Sequence, residues 1–118
     1  MATVVLLGAL DTKGDEYAFI RDRVIDAGCN VVLINAGVLG DPEYTIEFSR
    51  QEVASAAGTD IDTLVAAGDR GTAVTAMAEG AATIIQRLCN EDRIHGILGM
   101  GGSGSSSIVS HAMRRLPI

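Results

Sequence analysis

Residues 3–8 read Thr-Val-Val-Leu-Leu-Gly, an unbroken apolar run rich in β-branched side chains that stops at a glycine. A strand with one wet face alternates apolar with polar residues, whereas a parallel strand covered on both faces has no reason to alternate. The run therefore predicts a buried parallel strand, and its closest echoes lie at 30–34 (Asn-Val-Val-Leu-Ile) and 94–100 (Ile-His-Gly-Ile-Leu-Gly-Met). Between the first two, Phe19, Ile20, Val24 and Ala27 recur at helical spacing opposite Arg21, Asp22, Arg23 and Asp26, which predicts a helix over 16–27 stopped by Gly28. A second helix is expected over 72–88, with Val74, Met77, Ala78, Ala81, Ile84, Ile85 and Leu88 inward and Asp69 or Thr72 as cap. A third is expected over 105–116, ended by Pro117.

Strand and helix thus alternate three times, and short right-handed crossovers make an open parallel sheet the economical arrangement. The expectation is an α/β, Rossmann-like three-layer sandwich with strand order 2-1-3, built as one nucleotide-binding domain over 1–118. The stretch 36–70 is too long for a plain connection and is read as an insertion. Within it, 51–57 and 60–67 suggest short helices, and the alternation of Tyr44, Ile46 and Phe48 suggests a small edge strand. Leu116-Pro117-Ile118 resembles the entry to a fourth strand, so the domain is expected to be truncated before that strand. An unpaired strand edge invites another chain, hence a homo-oligomer is expected.

The chain has 118 residues, of which 47% are hydrophobic and 20% charged, enough apolar material for one core. Aromatic residues make up only 3%, while 14 residues are glycine, so backbones must pack closely. Fifteen acidic against nine basic side chains leave a net charge of −6, a field that opposes the phosphate backbone and excludes a nucleic-acid platform. No apolar run approaches the roughly 20 residues of a membrane span, and the first residues lack a basic leader. A cytoplasmic protein without membrane contact is expected, with Cys29 and Cys89 reduced and buried.

Ligands of open α/β sheets sit beyond the carboxyl ends of the strands, where the strand order reverses. Two segments would meet there, a loop over 8–16 and the glycine-serine segment over 99–106. Glycines between a strand and a helix let main-chain N–H groups converge on an anion. Gly101, Gly102, Ser103, Gly104 and Ser105 are accordingly the candidate phosphate cradle, within a match to G-x-G-x-x-G over 99–104. The bland alternative is a close-packed turn without ligand. In the first loop Lys13 would neutralise phosphate and Asp11 would hold magnesium or orient Thr12 and Lys13, the alternative being a helix start that Asp11 or Thr12 caps. Arg70 would reach a phosphate or pair with Asp11, the alternative being a solvated residue behind an Asp69 cap. Asn35 ends the second strand, where a ribose or base contact is common, or else it shapes the turn before Gly37. Ser103 fails the G-x-S-x-G pattern, and neither His95 nor His111 is placed to act as its base.

Taken in order, the stretches G-A-L-D-T-K-G-D-E (8–16), Q-E-V-A-S-A-A-G (51–58), D-R-G (69–71), G-M-G-G-S-G-S (99–105) and A-M-R-R-L-P (112–117) resemble one family. It is the bacterial and fungal family that shares its amino-terminal domain with the tomato mosaic virus resistance protein. The resemblance implies an α/β domain that binds ATP with magnesium, with the glycine-serine and D-T-K segments at the nucleotide, in a longer two-domain protein. Ser105 and Ser106 depart from the family's more usual Gly-Thr. The rival readings are an enzyme domain for a dinucleotide or phosphorylated substrate, with catalytic groups in missing segments, and an interaction module using the sheet edge.

Overall fold

Three strands pair in parallel in the order β2-β1-β3: β1 spans Thr3–Gly8, β2 Asn30–Asn35 and β3 Gly96–Leu98. The structure, a computed structural model, describes residues 2–99, His111 and Arg114, and for 11–13 the backbone alone. The register runs from Thr3 opposite Asn30 to Gly8 opposite Asn35 on one side of β1, and from Val4 opposite Gly96 to Leu6 opposite Leu98 on the other.

The central strand is apolar on both sides because both are covered. Side chains alternate across a strand, and the two sets enter two separate cores. Val5, Leu7 and Ile34 face a large core with α2 (Arg50–Ala56), α3 (Ile61–Ala67) and α4 (Arg70–Asn90). Leu6 and Leu33 face a smaller one with Leu10 and Tyr17 of α1 (Leu10–Asp26). That is the expected α/β arrangement, helix layers on both faces of a parallel sheet. Among the described residues, no helix is long and apolar enough to cross a membrane.

The helix expected over 16–27 begins earlier, at Leu10. The supposed loop 8–16 is therefore mostly helix, and residues 11–13 stand in its first turn. Neither Asp11 nor Thr12 is its cap, since Ala9 holds that position with no side-chain hydrogen bond. The inward face differs too. Phe19 is 65% exposed, whereas Tyr17 is fully buried, because the earlier start puts Leu10 and Tyr17 two turns apart over Leu6 and Leu33.

α4 also starts ahead of its expected position, at Arg70, where the Asp69 side chain accepts from the Gly71 and Thr72 amides. Its inward residues are as expected, with Met77, Ala81, Ile85 and Leu88 fully buried. Both short helices exist. Ser49 and Glu52 close a capping box on α2, and Asp60 caps α3 through the Thr63 amide. The edge strand at 44–48 reduces to one parallel bridge between Ile34 and Phe48, while Tyr44 and Ile46 pack against the smaller core. β3 is shorter than the apolar run 94–100. Both cysteines are free and half-buried rather than buried. The helix expected over 105–116 lies outside the described residues apart from His111 and Arg114, both helical.

Candidate functional site

Because β1 is hydrogen-bonded to parallel neighbours on both sides, the segments after Gly8, Asn35 and Leu98 all leave the sheet at one end. α4 feeds β3 from the opposite end, so its amino terminus at Arg70 points back to the same carboxyl edge. Arg70 is exposed there and, among the described residues, forms no ion pair. Gly101, Gly102, Ser103, Gly104 and Ser105 lie outside the described residues. So do the side chains of Asp11, Thr12 and Lys13, whose backbone begins α1 directly after β1.

That junction is built on two contacts. Gly8 has no room for a side chain, because a Cβ would strike the Tyr17 hydroxyl, with the ring carbon Cζ at 2.5 Å. The same hydroxyl donates to the Leu7 carbonyl at 2.7 Å, so β1 and α1 are locked together one residue from the turn. The second contact comes from β2. The Leu10 amide donates to Asn35 Oδ1 at 3.0 Å, an acceptor on a neighbouring strand. The remaining first-turn amides of a helix have no acceptor within it and carry the positive end of its dipole.

Asn35 is completely buried and fully engaged. Oδ1 also accepts from the Gly37 amide at 2.9 Å, while Nδ2 donates to the Gly40 carbonyl at 2.9 Å and to Asp41 Oδ1 at 2.8 Å. Two backbone donors fix the orientation of the amide, because they can only face its oxygen. An asparagine side chain offers two donor hydrogens and two acceptor lone pairs, so none is left for the expected ribose or base contact. The alternative expectation, shaping the turn before Gly37, describes what these hydrogen bonds do.

The network extends into the insertion. Asp41 Oδ1 accepts from the Arg50 amide at 3.0 Å, and the Arg50 guanidinium donates to the Val38 carbonyl at 2.6 Å. Tyr44 then crosses to α1, donating to the Gly14 carbonyl at 2.6 Å beneath the Arg21 guanidinium, 4.8 Å from its ring centre. Burial pushes the Tyr44 phenol above its usual pKa, with Arg21 opposing the shift and Asp15 adding to it. The roles of Tyr17, Asp41 and Tyr44 were not read from sequence. A signal existed in the scarcity of aromatics, since the chain has two Tyr and two Phe, and in the Asp41-Pro42 turn pair. His95 sits at the far, amino end of the sheet, where Nδ1 accepts from the Thr3 amide at 3.0 Å. His111 Nε2 lies 2.7 Å from Glu79 Oε1 on α4.

Among the described residues, no group of three or more His, Cys, Asp or Glu could hold a metal.

The fold defines an α/β domain in which three parallel strands in the order β2-β1-β3 end at a common carboxyl edge. Residues 2–118 match the N-terminal domain of an uncharacterised protein family, UPF0261, and the chain belongs to that family. A UPF0261 protein of Clostridium tetani is 41% identical over 115 residues, 98% of this chain and 28% of that protein. One from Brucella suis is 33% identical over 115 residues, with the same 98% and 28% shares. The chain is also similar to the ToMV resistance protein Tm-1(GCR237) of Solanum lycopersicum, at 28% identity over 130 residues, 98% of this chain and 17% of that protein. It thus spans between a quarter and a third of the length of the two bacterial relatives, 28% in each case.

Proposed function

We propose that this domain binds a nucleotide, ATP with magnesium, at the carboxyl edge of the sheet between β1 and β3. What supports this is the parallel pairing of β1 with β3, by which the turn into α1 and the segment that begins at Gly99 start from the same end of adjacent strands. The glycine-serine composition of that segment and the amino terminus of α1 suit an oxyanion. Main-chain amides of Gly101, Gly102 and Gly104, with Ser103 and Ser105, cradle phosphate. Lys13 neutralises it, Thr12 adds a hydroxyl, Asp11 holds the metal directly or through water, and Arg70 approaches from α4. Bound magnesium supplies charge neutralisation for the phosphates.

Calorimetric titration with ATP, ADP and NAD, with and without magnesium, tests the proposal. ATP is expected to bind more tightly with the metal than without it. Lys13→Ala and Gly102→Val are each expected to weaken ATP binding about tenfold or more, the scale of a lost charge-assisted contact or an obstructed cradle. Unchanged affinity in both variants would sink the site assignment. Preference for NAD over ATP would replace the nucleotide with a dinucleotide.

A further inference from the structure

We infer that the α1 side of β3 is a docking surface, and that its occupant is an apolar-faced helix from the part of a UPF0261 protein that lies outside this domain. The two outer strands of the sheet are finished differently. At β2 the Leu33 amide donates to the Glu47 carboxylate at 3.0 Å, and the Leu33 carbonyl accepts from the Glu47 and Phe48 amides at 3.2 and 3.1 Å. The insertion thus closes that edge. β3 is Gly96-Ile97-Leu98, with none of the charges or prolines that guard a strand left open to water.

The faces of β3 differ as well. Ile97 packs into the large core. Leu98 pairs with Leu6 and Gly96 with Val4, so alternation turns both toward the side of the smaller core. There α1 packs over β1 and β2, and it leaves Leu98 41% exposed and Val4 only partly buried. A Cβ added to Gly96 would meet nothing within 4 Å. Val4, Gly96 and Leu98 therefore form an apolar floor with open space above it. In parallel sheets both faces are covered, and helices are what covers them.

Charge and length favour an occupant within the same polypeptide over a second copy. Each chain carries a net charge of −6, so two copies repel as they approach, whereas a tethered segment is held near the face at high effective concentration. Most of the length of the two bacterial relatives lies outside their match with this domain, so proteins of this family have the chain to supply such a helix.

The test reads the accessibility of position 98. Leu98→Cys is made together with Cys29→Ala and Cys89→Ala, both in this chain and in a chimera where the chain replaces the matching 28% of the Clostridium tetani protein. Reaction of the single thiol with a bulky maleimide is expected to be at least about tenfold slower in the chimera than in the isolated chain, because attack there waits for the docked helix to open. Equal rates would overturn the inference. So would slow labelling of the isolated chain that quickens on dilution, which would make the occupant a second copy. Should that chimera not fold, one built on the Brucella suis protein carries the same comparison, and equal rates there would overturn the inference in the same way.

Discussion

The junction between Gly8 and Tyr17 shows how much a single missing atom can decide. Glycine is needed at position 8 for space, since an added Cβ would overlap the buried Tyr17 hydroxyl and ring. Tyr17 cannot swing aside, because it is fully enclosed and its hydroxyl is tied to the Leu7 carbonyl. Gly8→Ala is therefore expected to destabilise the domain by about 1–3 kcal/mol, the usual cost of overpacking a well-filled interior. Urea denaturation followed by circular dichroism checks this, and a midpoint equal to wild type would show that Tyr17 relaxes freely. The β-branched run that ends at Gly8 was legible in the sequence. The reason for the glycine was not, because it depends on a ring nine positions further on that folds back over it.

At the level of the element, helix starts divide into those written locally and those supplied by neighbours. Ser49, Asp60 and Asp69 each cap the helix that follows them, and such caps can be read because donor and acceptor lie within three residues. At α1 alanine holds the cap position, and the Leu10 amide donates to Asn35 at the end of β2. This helix begins six positions ahead of the start that the spacing of apolar residues predicts, and 11–13 is helix rather than loop. The local caps carry a pH signature. Hydrogen bonds from the Thr63 amide and hydroxyl hold Asp60 below the usual aspartate pKa. Asp69 is held below it by the Thr72 hydroxyl and by the Thr72 and Gly71 amides.

A carboxyl group with a lower pKa folded than unfolded contributes stability above its unfolded value and loses it as pH falls through the folded one. The caps of α3 and α4 should thus weaken from about pH 4 downward. Asp60→Asn with Asp69→Asn keeps an oxygen acceptor at both caps and removes their titration. Between about pH 7 and pH 3, the urea midpoint of wild type should therefore fall further than that of the double variant. Parallel falls in the two proteins would show that these caps do not contribute to acid sensitivity.

Across the whole molecule, the close approach of backbones compensates for the lack of large side chains. α4 passes α2 at Gly80 so tightly that a Cβ there would meet the Val53 carbonyl oxygen, with the Val53 carbonyl carbon at 2.9 Å. Alanine gains about 1 kcal/mol over glycine in helix propensity, yet here the obstruction is backbone, which cannot rotate away. Gly80→Ala is expected to lose more from separating α2 and α4 than it gains, for a net destabilisation of about 1–2 kcal/mol. Thermal denaturation decides it, and a higher midpoint in the variant would mean that the helices separate at little cost.

The sequence by itself determined the α/β class, the strand order 2-1-3, the inward face of α4 and the presence of two short helices in the insertion. Each depends on periodicity or on residues within one turn of one another. Only the tertiary structure decided where α1 begins, that Asn35 is a buried joint with no hydrogen-bonding capacity left over, and that Tyr17 and Tyr44 clamp α1 from β1 and from the insertion. Those features are set by pairs far apart in the chain, such as Leu10 with Asn35 and Gly14 with Tyr44. A hydrogen bond across the sheet leaves no trace in the spacing of residues along it.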